Sequence, residues 1–206
     1  FYLKENWKDV LEHLFHSDIK IYSYSLPIPV SKKYETSLSN LRSGRMIYEW
    51  LEMAEEDLVL DSGNYQFIAR TDITNFYASI YTHSIGWALH GREEAFKDKE
   101  CKLLGNKIDR LVQYANDGRT NGIPVGSVLS DLIGEIILSK IDRDISIYLK
   151  EKNIDFIAVR FKDDYRILCK NEDDARTFFK IISKKLAIYN LSINENKTYI
   201  LKLPDG

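Results

Sequence analysis

The sequence predicts an α+β domain with a ferredoxin-like antiparallel sheet backed by helices. Three observations carry that reading. Tyr65 to Ile73 reads as a strand ending in an aspartate, and Phe156 to Lys170 reads as two short strands folded back on each other at Lys162-Asp163-Asp164. Between them and after them lie apolar residues at helical spacing, so the order is strand, helix, long helix, hairpin, helix, strand.

Taken in order, Leu3, Trp7, Val10, Leu11, Leu14 and Phe15 recur at helical spacing, which predicts an amphipathic helix over residues 3–15. Ile21 to Val30 is rich in Tyr, Ser and Pro and reads as extended. A basic stretch with Lys32, Lys33, Arg42 and Arg45 precedes a helix over about 45–58, and Asp61-Ser62-Gly63-Asn64 is a turn. After the strand at 65–73, residues 79–90 are helical or irregular and Gly91 closes them; 92–115 form a helical connection. Asn121-Gly122-Ile123-Pro124 marks a glycine-bearing loop. The helix from about Ser127 to Lys150 then repeats Leu129, Leu132, Ile133, Ile136, Ile137, Ile141 and Ile145. Asn171 is the expected N-cap of the helix that carries Ala175, Phe178, Phe179, Ile182 and Leu186. A last strand pair is expected around Ser192 and over 199–203.

Composition narrows the classes. With 206 residues, 44% of them hydrophobic, the chain can bury one sizeable core, and a smaller lobe beside it. Its 29 basic and 31 acidic residues leave a formal charge of -2, so no global field draws nucleic acid and any such binding needs a local patch. Cys101 and Cys169 form no CxxC pair, which argues against a zinc site and a disulfide framework and fits a reducing, cytoplasmic compartment. No apolar run reaches the length of a bilayer span and no signal peptide is visible, so no membrane partner is expected. The chain starts at Phe1 and stops at Pro204-Asp205-Gly206, so further domains are expected on either side.

Carboxylates at a strand end and at a hairpin tip are the chemistry-bearing feature. If the strands are neighbours, Asp72, Asp163 and Asp164 present oxygen ligands of the kind magnesium prefers. An Asp-Asp pair alone carries little, since Asp173-Asp174 follows shortly as an ordinary helix-start pair. The surrounding segments add the weight. Asp72-Ile73-Thr74-Asn75-Phe76-Tyr77-Ala78-Ser79-Ile80 resembles the first palm motif of reverse transcriptases, and Gly122-Ile123-Pro124-Val125-Gly126 with Ser130 is similar to that family's glycine-proline-glycine loop. Phe161-Lys162-Asp163-Asp164 looks like its aromatic-x-Asp-Asp hairpin, and Leu191 to Thr198 resembles the segment ending in Asn-x-x-Lys-Thr. The four stand in the family's order across most of residues 65–203.

The resemblance implies a polymerase palm over 65–206 with fingers elements inserted at about 92–120, a fingers-like region over 1–64, and a thumb and C-terminal domain outside this chain. It implies an RNA-directed DNA polymerase that transfers nucleotides from dNTPs with two Mg2+ ions, for which Mn2+ can substitute. Asp72, Asp163 and Asp164 are then catalytic and metal-binding, with the carbonyl of Ile73 completing the ligand set. Tyr77, with Phe76 beside it, Gly122 and Lys197 are nucleotide contacts. Tyr77 would sit beneath the incoming sugar, and no acid between Ile73 and Tyr81 stands ready to bind a 2′-hydroxyl, which favours DNA as product. Tyr77 as a plain core aromatic and Lys197 as a surface lysine are the alternatives. Asn121, Gly126 and Lys162 are template or primer contacts; Asn121 replaces the family's usual Gln, and Lys162 reaches the primer backbone or points outward. Arg42, Arg45 and Arg70 are candidate triphosphate cations. His83 and His90 read as structural.

The run from Asn75 to Ile85 looks most like bacterial reverse transcriptases of the abortive-infection and phage-defence type, which implies antiviral defence, with an RNA template, a DNA product and dNTPs as partners. A second copy of the chain or a defence protein is a further expected partner. Untemplated or protein-primed synthesis by the same site, an RNA-templated RNA polymerase, a catalytically silent scaffold and an ordinary ferredoxin-like binding module remain the alternatives.

Overall fold

Side-chain alternation along the strands decides which way each face of the sheet looks. The computed structural model describes residues 1–27 and 65–203. Its strands are β1 (Ile21–Ser23), β2 (Phe67–Asp72), β3 (Phe156–Phe161), β4 (Asp164–Cys169) and β5 (Tyr199–Lys202), in the spatial order β1-β3-β4-β2-β5. The last four give the ferredoxin-like order, all antiparallel, and β1 adds a parallel edge against β3.

On one face stand Asp72, Arg70 and Ile68 of β2, opposite Asp164, Arg166 and Leu168 of β4. The other face carries Ala69, Tyr165, Ile167, Cys169 and Ala158, which join one core with the helices behind. That core holds Val10, Leu14, Ile21 and Leu26 as well, so the described N-terminal residues share the core of the rest of the domain.

The helices follow their local signals. α1 (Tyr2–Glu5) and α2 (Trp7–Leu14) divide the expected first helix at Asn6, whose Nδ2 donates back to the Tyr2 carbonyl. After β2 come α3 (Phe76–Ser79), α4 (Ser84–His90), α5 (Arg92–Lys97) and α6 (Leu104–Ala115). The long helix α7 (Val128–Glu151) starts where the Ser127 hydroxyl accepts from the amides of Leu129 and Ser130. α8 (Glu172–Ile188) is capped by Asn171, which accepts from the Asp174 amide.

Two local expectations change. Leu129 is 48% exposed, with Val125 and Val128 also open, because the first turn of α7 lies outside the covered part of the core. Ser192 begins no strand: Ile193 makes a single bridge to Ile73, and a 3-10 turn at Glu195–Lys197 precedes β5. Cys169 is buried and its thiol is pushed up to about 12 by burial, which removes its thiolate reactivity. The basic stretch and helix expected over 32–58 and the turn at 61–64 lie outside the described residues.

Candidate active site

The antiparallel register of β2 and β4 makes Asp72 and Asp164 direct partners, and Asp163 fills the turn before β4. The hairpin tip is held at its backbone: the Ile73 amide donates to the Asp163 carbonyl at 3.1 Å, so the end of β2 is locked to the turn. Burial raises the pKa of Asp163 above the usual carboxylate range, and the nearby charges of Asp72 and Asp164 add to the shift. Asp164 is raised for the same first reason and pulled the other way by Arg166 and Arg70.

Cations answer these charges. Lys197 Nζ donates to Asp72 Oδ2 at 3.1 Å, which raises the lysine's own pKa. Arg166 Nη2 lies 3.5 Å from Asp164 Oδ2. Arg70 and Arg166 are cross-strand partners one pleat behind the acids, and Arg70 Nη1 donates to the Tyr199 hydroxyl. Arg166 had no place among the sequence candidates, although its register with Arg70 follows once Asp72 is paired with Asp164. Arg42 and Arg45 lie outside the described residues.

Among the described residues no three His, Cys, Asp or Glu side chains stand as a closed metal-holding group. The donor types still suit a hard divalent ion, since three carboxylates stand at one sheet end, Asp72 and Asp164 paired across β2 and β4 and Asp163 in the adjoining turn.

A buried network fixes the hairpin from below. Arg160, fully buried, donates from Nη1 and Nη2 to both carboxylate oxygens of Glu135 at 2.9 and 3.0 Å, and from Nε to Asp142 at 2.9 Å. Its Nη1 also donates to the carbonyl of Lys162 at 3.0 Å, and the Lys162 amide donates to Ser25 Oγ at 2.8 Å. Ser23 and Ser25 donate to Glu135, and the Tyr165 hydroxyl to Asp142. Burial works against the charge on Arg160, and the two acids more than offset it. Burial also pushes Asp142 up to about 6, against the pull of Arg160 and Tyr165. Sequence reasoning treated α7 as an apolar stripe and missed these acids. Their spacing of seven, on one helix face opposite a lone arginine in an apolar strand, was the available signal.

The remaining candidates fall into place around this centre. Phe76 is 3% exposed and packs on Gly134, where an added Cβ would stand 3.0 Å from its ring, so its ring is core floor rather than an open nucleotide contact. Tyr77 stays half-buried, and its hydroxyl donates to Asp131 in the first turn of α7. Lys162 neither points outward nor stands alone, because its Nζ donates to the same Asp131 at 3.1 Å. Gly122 has φ +82 and its amide donates to the Ile80 carbonyl, while the Ile123 amide donates to the Tyr77 carbonyl. Gly126, at φ +91, faces open space. Asn121 bridges Tyr81 and lines a cavity of about 440 Å³ with Trp87, Arg92 and Asn190, among which stands none of the three aspartates. His83 is held by Asp109, and His90 accepts from the Gly105 amide; both bonds tie helices together.

A ferredoxin-like sheet with acids gathered at the end of its central strand pair defines a polymerase-type palm. A family model described as reverse transcriptase (RNA-dependent DNA polymerase) matches residues 13–204, and the chain belongs to that family. Among solved structures it is similar to a C-terminally truncated apo telomerase from Candida tropicalis, with TM-score 0.56 and 14% identity over 100% of this chain and 41% of that one. It is also similar to telomerase from Candida albicans in complex with a TWJ fragment of telomeric RNA, with TM-score 0.58 and 15% identity over 97% of this chain and 34% of that one. At such identity the likeness is one of fold, and the chain spans less than half the length of either telomerase chain. No curated protein matches. No helix among the described residues is long and apolar enough to cross a membrane.

Proposed function

We propose that residues 65–203 carry the palm of an RNA-directed DNA polymerase that joins dNTPs at a site built on Asp72, Asp163 and Asp164. The observation that carries this reading is the pairing of Asp72 with Asp164 across β2 and β4, with Asp163 at the adjoining turn and both hairpin acids shifted upward. Asp72 and Asp163 would hold two magnesium ions, with Asp164 and the Ile73 carbonyl in support. Bound there, the ions would neutralise the triphosphate and stabilise both attacking and leaving oxygens.

The chain's own groups then have separable tasks. As the primer 3′-hydroxyl gives its proton to solvent water and its oxygen bonds to the α-phosphorus, the bond to pyrophosphate breaks and Lys197, which stands beside Asp72, gives a proton to the departing oxygen. The ring of Tyr77 lies under the incoming sugar and excludes a 2′-hydroxyl. The Gly122 and Gly126 loop lets the backbone approach template and nucleotide. Arg70 and Arg166 supply positive charge on the face that carries the acids. The likeness of residues 75–85 to bacterial defence enzymes extends the proposal to antiviral synthesis, templated by RNA or, as the alternative, untemplated or protein-primed.

A silent nucleic-acid-binding scaffold is the second reading, favoured by one observation: Asp72 and Asp164 are engaged by Lys197 and Arg166. Nucleotide incorporation separates the two. The full chain, given dNTPs or NTPs with Mg2+ and a primed RNA template, is compared with an EDTA control, a template-free control and Asp163→Ala. Extension with dNTPs that is lost in Asp163→Ala and in EDTA is the expected result; template-free addition selects the untemplated alternative; no incorporation by a folded protein selects the scaffold.

A further inference from the structure

The acid that no residue between Ile73 and Tyr81 provides arrives from another element. Asp131, in the first turn of α7, is 18% exposed at its side chain, and its Oδ1 accepts from both the Tyr77 hydroxyl and Lys162 Nζ, the latter at 3.1 Å. Lys162 Nζ also lies 5.8 Å from the centroid of the Tyr77 ring. Each member is anchored behind this contact. Asp131 is held by the Ser127-capped helix start, its amide donating to the Ser127 carbonyl at 3.0 Å. The Lys162 backbone is held by Ser25 and Arg160. The Tyr77 ring leans on buried Phe76, with centroids 5.1 Å apart. One carboxylate therefore ties together the segment after β2, the start of α7 and the hairpin tip.

We infer that Asp131 is a specificity-determining residue: held between the Tyr77 hydroxyl and Lys162, it locks the Tyr77 ring in the pose that bars a ribose 2′-hydroxyl. This rests on the proposed polymerase reading and deepens it. A tyrosine ring anchored only at its Cβ side can swing aside for a larger sugar, whereas a ring whose far end is fixed by a charge-assisted bond cannot do so without breaking that bond. An acid at a helix start also interacts favourably with the helix dipole, but that role asks nothing of Tyr77 or Lys162. The two donors come from outside the helix and converge on one oxygen. Burial, then Asp131 itself, keeps the Tyr77 hydroxyl protonated and therefore a donor. The opposite chemistry would be for Asp131 to accept a bond from the 2′-hydroxyl and so favour ribonucleotides; Oδ1 is already engaged twice, which speaks for the lock.

The test is the ratio of kcat/KM for an NTP to that for the matching dNTP on a primed template, for the full chain and for Asp131→Ala, Asp131→Asn, Tyr77→Phe and the Asp131→Ala/Tyr77→Phe double variant. Asp131→Ala and Tyr77→Phe are each expected to raise the ratio on the order of tenfold, the size of one charge-assisted bond. The double variant should raise it no further than either single, because both remove the same contact. Asp131→Asn keeps an acceptor and the side-chain shape, so it reports a smaller rise even if Asp131→Ala folds poorly. An unchanged ratio in an active enzyme overturns the lock alone. A fall in the ratio also overturns it and makes Asp131 a reader of the 2′-hydroxyl. Incorporation of neither nucleotide by the unsubstituted chain overturns the polymerase reading and the sugar-selecting role with it.

Discussion

Arg160 donates from Nη1 to the carbonyl oxygen of Lys162 at 3.0 Å, so a guanidinium with no solvent exposure sets the turn that presents Asp163. Lys162 sits at φ +53, in the left-handed region that an L-residue enters at a cost, and the donated bond helps hold it there. Replacing the arginine strands two buried acids, Glu135 and Asp142, that it now bridges. Arg160→Met is expected to lower stability by about 3–5 kcal/mol, read as a shift in the urea midpoint. Replacing Glu135 and Asp142 together with Arg160 by apolar residues should recover part of that loss and leave incorporation impaired, because the turn still lacks its donor.

Two histidines set a pH dependence of the fold. His13 is lowered below its usual value by burial first, with Lys140, Arg143 and His16 nearby adding to the shift against its bond to the Ile136 carbonyl. His90 is lowered by burial, and its Nε2 accepts from the Gly105 amide, a bond that protonation would break. A base with a depressed folded pKa contributes stability that is present above its unfolded value and is lost as pH falls toward the folded one. The contribution of these two histidines should therefore be lost as pH falls below about 6.5, while Asp142, raised by burial to about 6, works in the opposite direction, so the histidine part is read as the difference between variants. Urea midpoints taken from pH 7.5 to 5.0 should show a shallower slope in His13→Gln than in the unsubstituted chain.

Gly122 and Gly126 share a positive φ and differ in their surroundings. A Cβ on Gly122 would lie 3.3 Å from the Ala78 carbonyl oxygen, a backbone atom that cannot swing away, whereas a Cβ on Gly126 meets nothing within 4 Å. Gly122→Ala should cost about 1–3 kcal/mol, from strain and crowding together. Gly126→Ala should cost about 1–2 kcal/mol from strain alone. Because the Ile123 amide is bonded to the Tyr77 carbonyl, Gly122→Ala should also alter nucleotide discrimination; thermal unfolding and the NTP/dNTP ratio measure the two effects.

Lys197 is an exposed side chain that forms an ion pair with Asp72. Lys197→Met should leave the unfolding midpoint nearly unchanged, as exposed pairs contribute little. If the lysine protonates pyrophosphate, the same variant lowers kcat roughly 10²-fold with a smaller change in KM. Lys197→Arg, which keeps the charge beside Asp72 and gives up its proton far less readily, should retain binding and lose turnover. Single-turnover incorporation distinguishes these.

Local patterns made much of the frame legible. Alternation and turn residues located β2 and the β3–β4 hairpin, Asn171 and Ser127 marked the starts of α8 and α7, and the order of the family's motifs implied that Asp72 would face the hairpin acids once the strands were neighbours. The expected strand at Ser192 failed because one bridge to the end of β2 is all that its backbone finds there. The described N-terminal segment read as a separate region, yet β1 pairs with β3, a contact between residues far apart in sequence that no local signal announces.

By itself the sequence determined the periodic elements, the order of the four motifs, an acid at one strand end and two more at a hairpin tip, since these are local features; that the two ends meet was decided by the pairing of β2 with β4. Only the tertiary structure decided how the charges are answered. Tyr77 finds Asp131 across 54 positions, Lys162 finds it across 31, and Lys197 finds Asp72 across 125. Each of these pairings joins side chains whose separation in the chain carries no period, and each exists because packing α7 and the 3-10 turn against the sheet brings the partners within bonding distance.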